Sequence, residues 1–271
     1  MNLIGLIAAL PEERGALLRR IPGWNVCRLG AFRGFRFRLS KQDCLLIESG
    51  VGLKRAGEAT HALLAESPRL LLTFGVAGAV QADLRIGDVV AVRHTCRLEQ
   101  GSVSSMAPLS VLPDEARQAA EQALQARGAR LVDGVAVTTR GEQNILWQPS
   151  ELENPVLEME TAGIAAAALQ AGVPLLALRG ISDNPQEPIP LDPGAVLDSE
   201  YRLKIGKLLG ILLRRPQILL QFRRFQRNTT LAANNAAAAV LAVISAMHNP
   251  SILSHSRFCD EPNSTDPALC P

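Results

Sequence analysis

Two acidic landmarks stand some twenty residues apart, Val156-Leu157-Glu158-Met159-Glu160-Thr161-Ala162-Gly163 and Leu178-Arg179-Gly180-Ile181-Ser182-Asp183. Each places a carboxylate just beyond an apolar run that reads as a buried strand. In open α/β sheets ligands bind outside the carboxyl ends of the strands. Two carboxylates delivered to that edge point to chemistry on a polar small molecule. A further acidic pair, Glu12-Glu13, follows Pro11 at the end of the first apolar run. Taken alone, each has a structural reading as well. Asp183 in Ser-Asp-Asn suits a turn, Glu160 a cap for a helix starting at Thr161, and Glu12 and Glu13 the positive end of a helix dipole.

Strands and helices alternate along the chain, which predicts an α/β fold with a mixed central sheet flanked by helices. Residues 2–10, 33–39 and 43–49 read as strands, with helices opened by Pro11 and near 53–66. Leu70–Phe74 reads as a short strand ending in Gly75-Val76-Ala77-Gly78, and the sheet continues over Gly87–Val92, 132–139 and 174–181. Residues 114–127 form an amphipathic helix, and a strand–helix pair covers 155–171. Four prolines make 184–198 a loop. A helix near 199–214 then closes a domain of residues 1–215. Residues 216–250 read as a basic and Ala-rich helical extension, with Ile218, Phe222 and Phe225 on one face. Residues 251–271 have the composition of a disordered tail.

With 47% apolar and 20% charged residues, 271 residues are enough for one large core. Only 4% are aromatic, so that core must be built from Leu, Ile, Val and Ala. The start lacks the basic region of a signal peptide, and the five cysteines are odd in number and without CxxC. Both features predict a cytoplasmic protein with reduced thiols. Four scattered histidines give no metal spacing. Gly50-Val51-Gly52 follows a strand, but Arg55 stands where a dinucleotide fingerprint needs its third glycine.

In chain order the motifs are Ile4-Gly5-Leu6-Ile7-Ala8-Ala9-Leu10-Pro11-Glu12-Glu13, Ser49-Gly50-Val51-Gly52, Gly75-Val76-Ala77-Gly78, Ile86-Gly87-Asp88-Val89-Val90, Glu158-Met159-Glu160-Thr161 and Ile181-Ser182-Asp183. Over residues 2–213 this series resembles the superfamily of purine nucleoside phosphorylases and methylthioadenosine/S-adenosylhomocysteine nucleosidases. The resemblance implies a nucleoside phosphorylase-type fold and cleavage of an N-ribosidic bond. Such a reaction builds positive charge on the sugar and negative charge on the departing base.

The resemblance makes Asp183 the acid directed at the purine N7, and Glu160 the ligand of the 2′- and 3′-hydroxyls with Met159 against the sugar. Glu13 becomes the group that activates water, and Val76, Ala77 and Gly78 line the substrate. General acid catalysis of this kind is worth ~10²–10⁴-fold. Arg179, in a mostly apolar strand, reads as the structural partner of a buried carboxylate.

Two departures from the family matter. Its phosphorylases bind phosphate through an Arg and a Ser around the glycine motif, where this chain has Thr73 and Val76. Hydrolysis is therefore expected, with inorganic phosphate a co-substrate only if the reaction is phosphorolytic, and no other cofactor. The base-stacking aromatic of the nucleosidases is also missing from Thr139-Arg140-Gly141-Glu142-Gln143-Asn144-Ile145. Homo-oligomers are usual in the family. A protein that binds nucleosides without turnover is the non-enzymatic alternative.

Nine basic residues and no acidic one lie between Glu200 and Asp260, although the whole chain is only +2. Several of these, in the segment 202–227, could lie on an anionic membrane surface; the other reading is a terminal helix with a solvated basic face. No aromatic–basic interleaving supports nucleic-acid binding. Leu212-Leu213-Arg214-Arg215-Pro216 and the tail after it resemble hopanoid-associated members of the superfamily, which implies adenine release from a lipid-linked adenosine.

Overall fold

A computed structural model describes residues 3–99, 101–140, 152–187 and 217–247. The elements, in order, are β1 (Leu3–Ala8), α1 (Pro11–Leu18), β2 (Asn25–Leu29), β3 (Phe32–Leu39), β4 (Gln42–Glu48), α2 (Leu53–Leu64), β5 (Leu70–Ala79) and β6 (Val89–Glu99). There follow β7 (Ser102–Val103), β8 (Ala107–Pro108), α3 (Asp114–Gln125), β9 (Leu131–Thr138), β10 (Pro155–Glu158), α4 (Thr161–Gln170), β11 (Leu175–Asp183) and α5 (Gln217–Ala246).

The sheet runs β10-β9-β6-β11-β5-β1-β4-β3-β2 and is mixed, as expected. β1, β4, β5 and β11 are parallel to one another, whereas β6 lies antiparallel to β11. Parallel central strands buried on both faces need helices above and below. Leu6, Leu72 and Leu178 point to the layer of α1, α3 and α5, and Ile7, Leu71 and Leu175 to the layer of α2 and α4.

β5 is longer than the sequence indicated, because the glycine motif continues the strand instead of ending it. Its first half pairs with β1, β11 pairs along it from Leu71 to Gly78, and its last residues, Gly78 and Ala79, pair antiparallel with Leu157 and Val156 of β10. Glycine-rich backbone can enter a strand when the close approach of other groups requires it, and here those groups are the carboxylates of Glu13 and Asp183. β6 likewise runs past its expected end to Glu99, and the edge strand β2 and the two-residue β7 and β8 carried no readable pattern.

The stretch expected to turn helical at Pro216 is the start of α5, whose side chains are described from Gln221 onward. Phe222 and Phe225 are half-buried and Arg223, Arg224 and Arg227 exposed, so the expected segregation of faces holds for these five. The Ala-rich half enters the core, where Ala233, Ala237, Val240 and Ile244 join a cluster that this helix forms with α1, α3, β5 and β11. Gln221–Ala246 is long and apolar enough to cross a membrane by length and composition, and half of its most apolar window is buried inside the protein. Asn235 is held between two partners, its carboxamide N–H donating to Gly87 O (2.8 Å) and its oxygen accepting from Arg127 Nε (2.6 Å). The loop 184–198 beyond Glu187, the helix near 199–214 and the tail 251–271 lie outside the described residues.

Candidate active site

Glu13 sits at the third position of α1. One of its oxygens accepts the Ala9 and Leu10 N–H groups (both 2.9 Å), which is the cap expected of an acid in a first helical turn. The other oxygen accepts the Val76 N–H (2.9 Å) in the glycine strand. The cap fixes the carboxylate, and the third bond aims it at β5. A methyl group at Gly75 would collide with Glu13 Oε1 and stand 2.7 Å from Arg179 Nη1, so glycine there is what admits both groups.

Asp183 ends β11. Between Ile181 and Asp183 the pairing with β5 slips by one residue, a bulge that leaves Ser182 unpaired and brings Asp183 opposite Gly78. Bulges of this sort re-aim a side chain beside active sites. The Ser182 hydroxyl donates to Asp183 Oδ1 (2.7 Å), and a Cβ at Gly78 would lie 2.5 Å from Oδ2. Burial pushes the Asp183 carboxyl above its ordinary range, which the Ser182 bond offsets in part. An acid that must hold a proton until a base departs needs that displacement.

Glu160 does not cap α4. Its side chain makes no capping bond and turns to the start of α2 instead, accepting the Gly52 N–H (3.0 Å). The work of the cap passes to Glu158, whose Oε2 accepts the N–H groups of Glu160 (3.0 Å) and Thr161 (2.7 Å). Burial raises the Glu160 carboxyl to about 8, helped by the negative charges of Glu158 and Glu13 and opposed by Arg179. Glu13 is raised too, by burial, against the pull of Arg179 and three backbone N–H groups. Met159 is half-buried beside this group, Ala77 is buried, and Val76 and Gly78 are partly exposed along β5.

Arg179 is 1% exposed and donates from Nη2 to Glu158 Oε2 (3.0 Å), the buried partner its position in an apolar strand implied. The sequence had not distinguished Glu158 from its neighbours. A buried Arg in an apolar strand demands a counter-ion, and that requirement was the signal available.

Thr73 is buried, and its hydroxyl donates to Ile7 O (3.3 Å). The Val76 N–H is taken by Glu13. Both positions singled out by the resemblance, Thr73 and Val76, are therefore engaged in internal bonds. Among the described residues no group of His, Cys, Asp and Glu is arranged to hold a metal ion. Of the stretch expected to approach the base, only Thr139 and Arg140 are described; 141–145 lie outside.

Residues 3–245 match the Phosphorylase superfamily. The 5′-methylthioadenosine/S-adenosylhomocysteine nucleosidase of Shewanella piezotolerans is 30% identical over 222 residues, covering 75% of this chain and 93% of that protein. The nucleosidase of the same name from Staphylococcus epidermidis is 25% identical over 67% of this chain and 86% of its own length. Two solved structures share the fold. The Neisseria meningitidis nucleosidase bound to methylthio-immucillin-A has a TM-score of 0.67 and 18% identity, over 91% of this chain and 100% of that one. Futalosine hydrolase of Helicobacter pylori has a TM-score of 0.65 and 17% identity, over 90% and 97%. The match reaches from the first strand almost to the end of the last described helix, and the chain belongs to the Phosphorylase superfamily.

Proposed function

We propose that this chain hydrolyses the N-glycosidic bond of a purine nucleoside, with adenine the base favoured by its likeness to the methylthioadenosine/S-adenosylhomocysteine nucleosidases. One observation carries the reading: Glu13, Glu160 and Asp183 are brought to one edge of the sheet, two of them against a strand whose glycines leave room for their oxygens. In the proposed reaction Glu13 takes a proton from water as its oxygen bonds to C1′ of the ribose. The bond from C1′ to the base breaks, its electron pair leaves with the purine, and Asp183 delivers a proton to N7. Glu160, with Met159 beside it, holds the ribose diol. Hydrolysis is favoured over phosphorolysis because Thr73 and the Val76 amide are committed within the protein. The free thiols of Cys27, Cys44 and Cys96 agree with a cytoplasmic setting.

The test is base release from adenosine, inosine, methylthioadenosine and adenosylhopane, each with and without phosphate. Release without phosphate supports the reading, and strict phosphate dependence overturns the hydrolytic part. Asp183→Asn should still bind nucleoside but release base ~10²–10⁴-fold more slowly. Unchanged release in that variant would remove Asp183 from the chemistry. Binding without any release, in the wild type too, would leave a nucleoside-binding protein.

A lipid-linked nucleoside is the second reading, favoured by the exposed Arg223 and Arg227 at the outer end of α5. It predicts binding to anionic phospholipid vesicles that disappears when Arg214, Arg215, Arg223 and Arg224 are neutralised, and a preference for adenosylhopane in the panel.

A further inference from the structure

Glu158 takes no part in the proposed chemistry, yet among the described residues it gathers more hydrogen bonds than any of the three carboxylates that do. Besides the amides of Glu160 and Thr161 and the guanidinium of Arg179, it accepts the hydroxyls of Thr161 (2.7 Å) and Thr138. Both hydroxyls are themselves held by other groups. The Thr161 oxygen already accepts from Arg179 Nε (3.2 Å) and Nη2 (2.8 Å), and the Thr138 oxygen accepts the Ala162 N–H (3.0 Å). All five bonds to Glu158 are drawn from donors, so its carboxyl acts here as an acceptor throughout.

Its charge acts on Glu160 directly, and it also holds the one cation that Glu160 shares with Glu13. The inner end of Arg179 is tied to Glu158 and Thr161, while Nη1 looks into the space left by Gly75, beside Glu13. Glu160 is faced by Glu158 from β10, Arg179 from β11, Glu13 from α1 and the N–H of Gly52, just before α2. Glu13 is faced by Arg179 and by the amides of Ala9, Leu10 and Val76. Three carboxylates thus share a single guanidinium. We propose that Glu158 is a positioning residue: by claiming the inner end of Arg179, it determines how much of that one positive charge reaches Glu13 and Glu160.

The inference rests on the nucleosidase reading for its purpose, but not for its test. Glutamate-labelled full-length protein is titrated by ¹³C NMR of the side-chain carboxyls, with the Glu160 resonance identified by its loss in Glu160→Gln. Glu158→Gln keeps the size and an acceptor oxygen while releasing Arg179. The Glu160 midpoint, about 8 in the wild type, should fall by about 1–3 pH units. The acid limb of base release should move the same way. A clamp that only holds the backbone would lower activity and leave both midpoints where they are, and that result overturns the proposal. Should Glu158→Gln fold too poorly to titrate, Thr138→Val removes one donor from Glu158 without changing any charge. Glu158 then presents more negative charge to its neighbours, and the Glu160 midpoint should rise by a few tenths of a pH unit or more. An unmoved midpoint there overturns the proposal as well. Because the titration needs no turnover, inactivity against every nucleoside would count against the function and leave this result standing.

Discussion

The site is defined as much by absent side chains as by present ones. At Gly75 and Gly78 the space of a methyl group is occupied by the oxygens of Glu13 and Asp183. Gly75→Ala should displace Glu13 and Arg179 together, and Gly78→Ala should displace Asp183. A misplacement of about 1 Å can cost ~10²-fold in rate. Each variant should therefore lose about that much in single-turnover base release while melting close to wild type. Wild-type rates in both would show that the carboxylates act from somewhere else. Sequence motifs pointed to Glu13, Glu160 and Asp183 as candidates, because each closes a short run whose neighbours are distinctive. Glu158 was not legible, since its role depends on Thr138, Thr161 and Arg179, which come from three other elements.

Helix α5 meets the sheet at Gly180, where a methyl group would run into the carbonyl of Ala232. Gly180→Ala should push the helix outward and cost about 1–3 kcal/mol in urea unfolding, the usual penalty for overpacking. Asn235→Ala should cost a similar ~1–3 kcal/mol, because the buried carbonyl of Gly87 loses its donor. Unchanged midpoints in both variants would mean that α5 is only loosely attached. The helix itself was readable from its faces. What covers it was not, since the Ala-rich half looks the same whether it lies on a sheet or in solvent. Periodicity also failed for β5. Gly-Val-Ala-Gly is strand because β11, far along the chain, pairs along all of it and β10 joins at its end. The edge strand β2 escaped notice because most of its residues are exposed and follow no alternation.

Three buried carboxylates with raised proton affinity affect the stability of the whole molecule. Between the ordinary carboxylate value of 4.5 and about 8, folded protein holds a proton on Glu160 that unfolded protein has released. Glu13 and Asp183 are displaced in the same direction. Unfolding then releases protons, so stability must fall as pH rises through that window. The ligand-free melting temperature should decline from pH 5 to 8.5, and Glu160→Gln should flatten the decline and melt higher than wild type at pH 8. A flat wild-type profile would show that the Glu160 carboxyl is already ionised at neutral pH. The overall layering was legible from the alternation of strands and helices. The order of the strands was not, because β11 pairs between two strands made much earlier.

That strand order bears on how the chain is made. β11 lies between β5 and β6 and is the last of the described strands in the sequence. Until residue 183 has left the ribosome, a gap one strand wide separates β5 from β6, with an unpaired edge on each side. Open edges of this kind invite pairing with other chains. The strand that fills the gap is also the one that carries Asp183 at its tip. No shorter nascent chain can hold a complete site, so the proposed activity and a closed sheet arrive in the same step of synthesis.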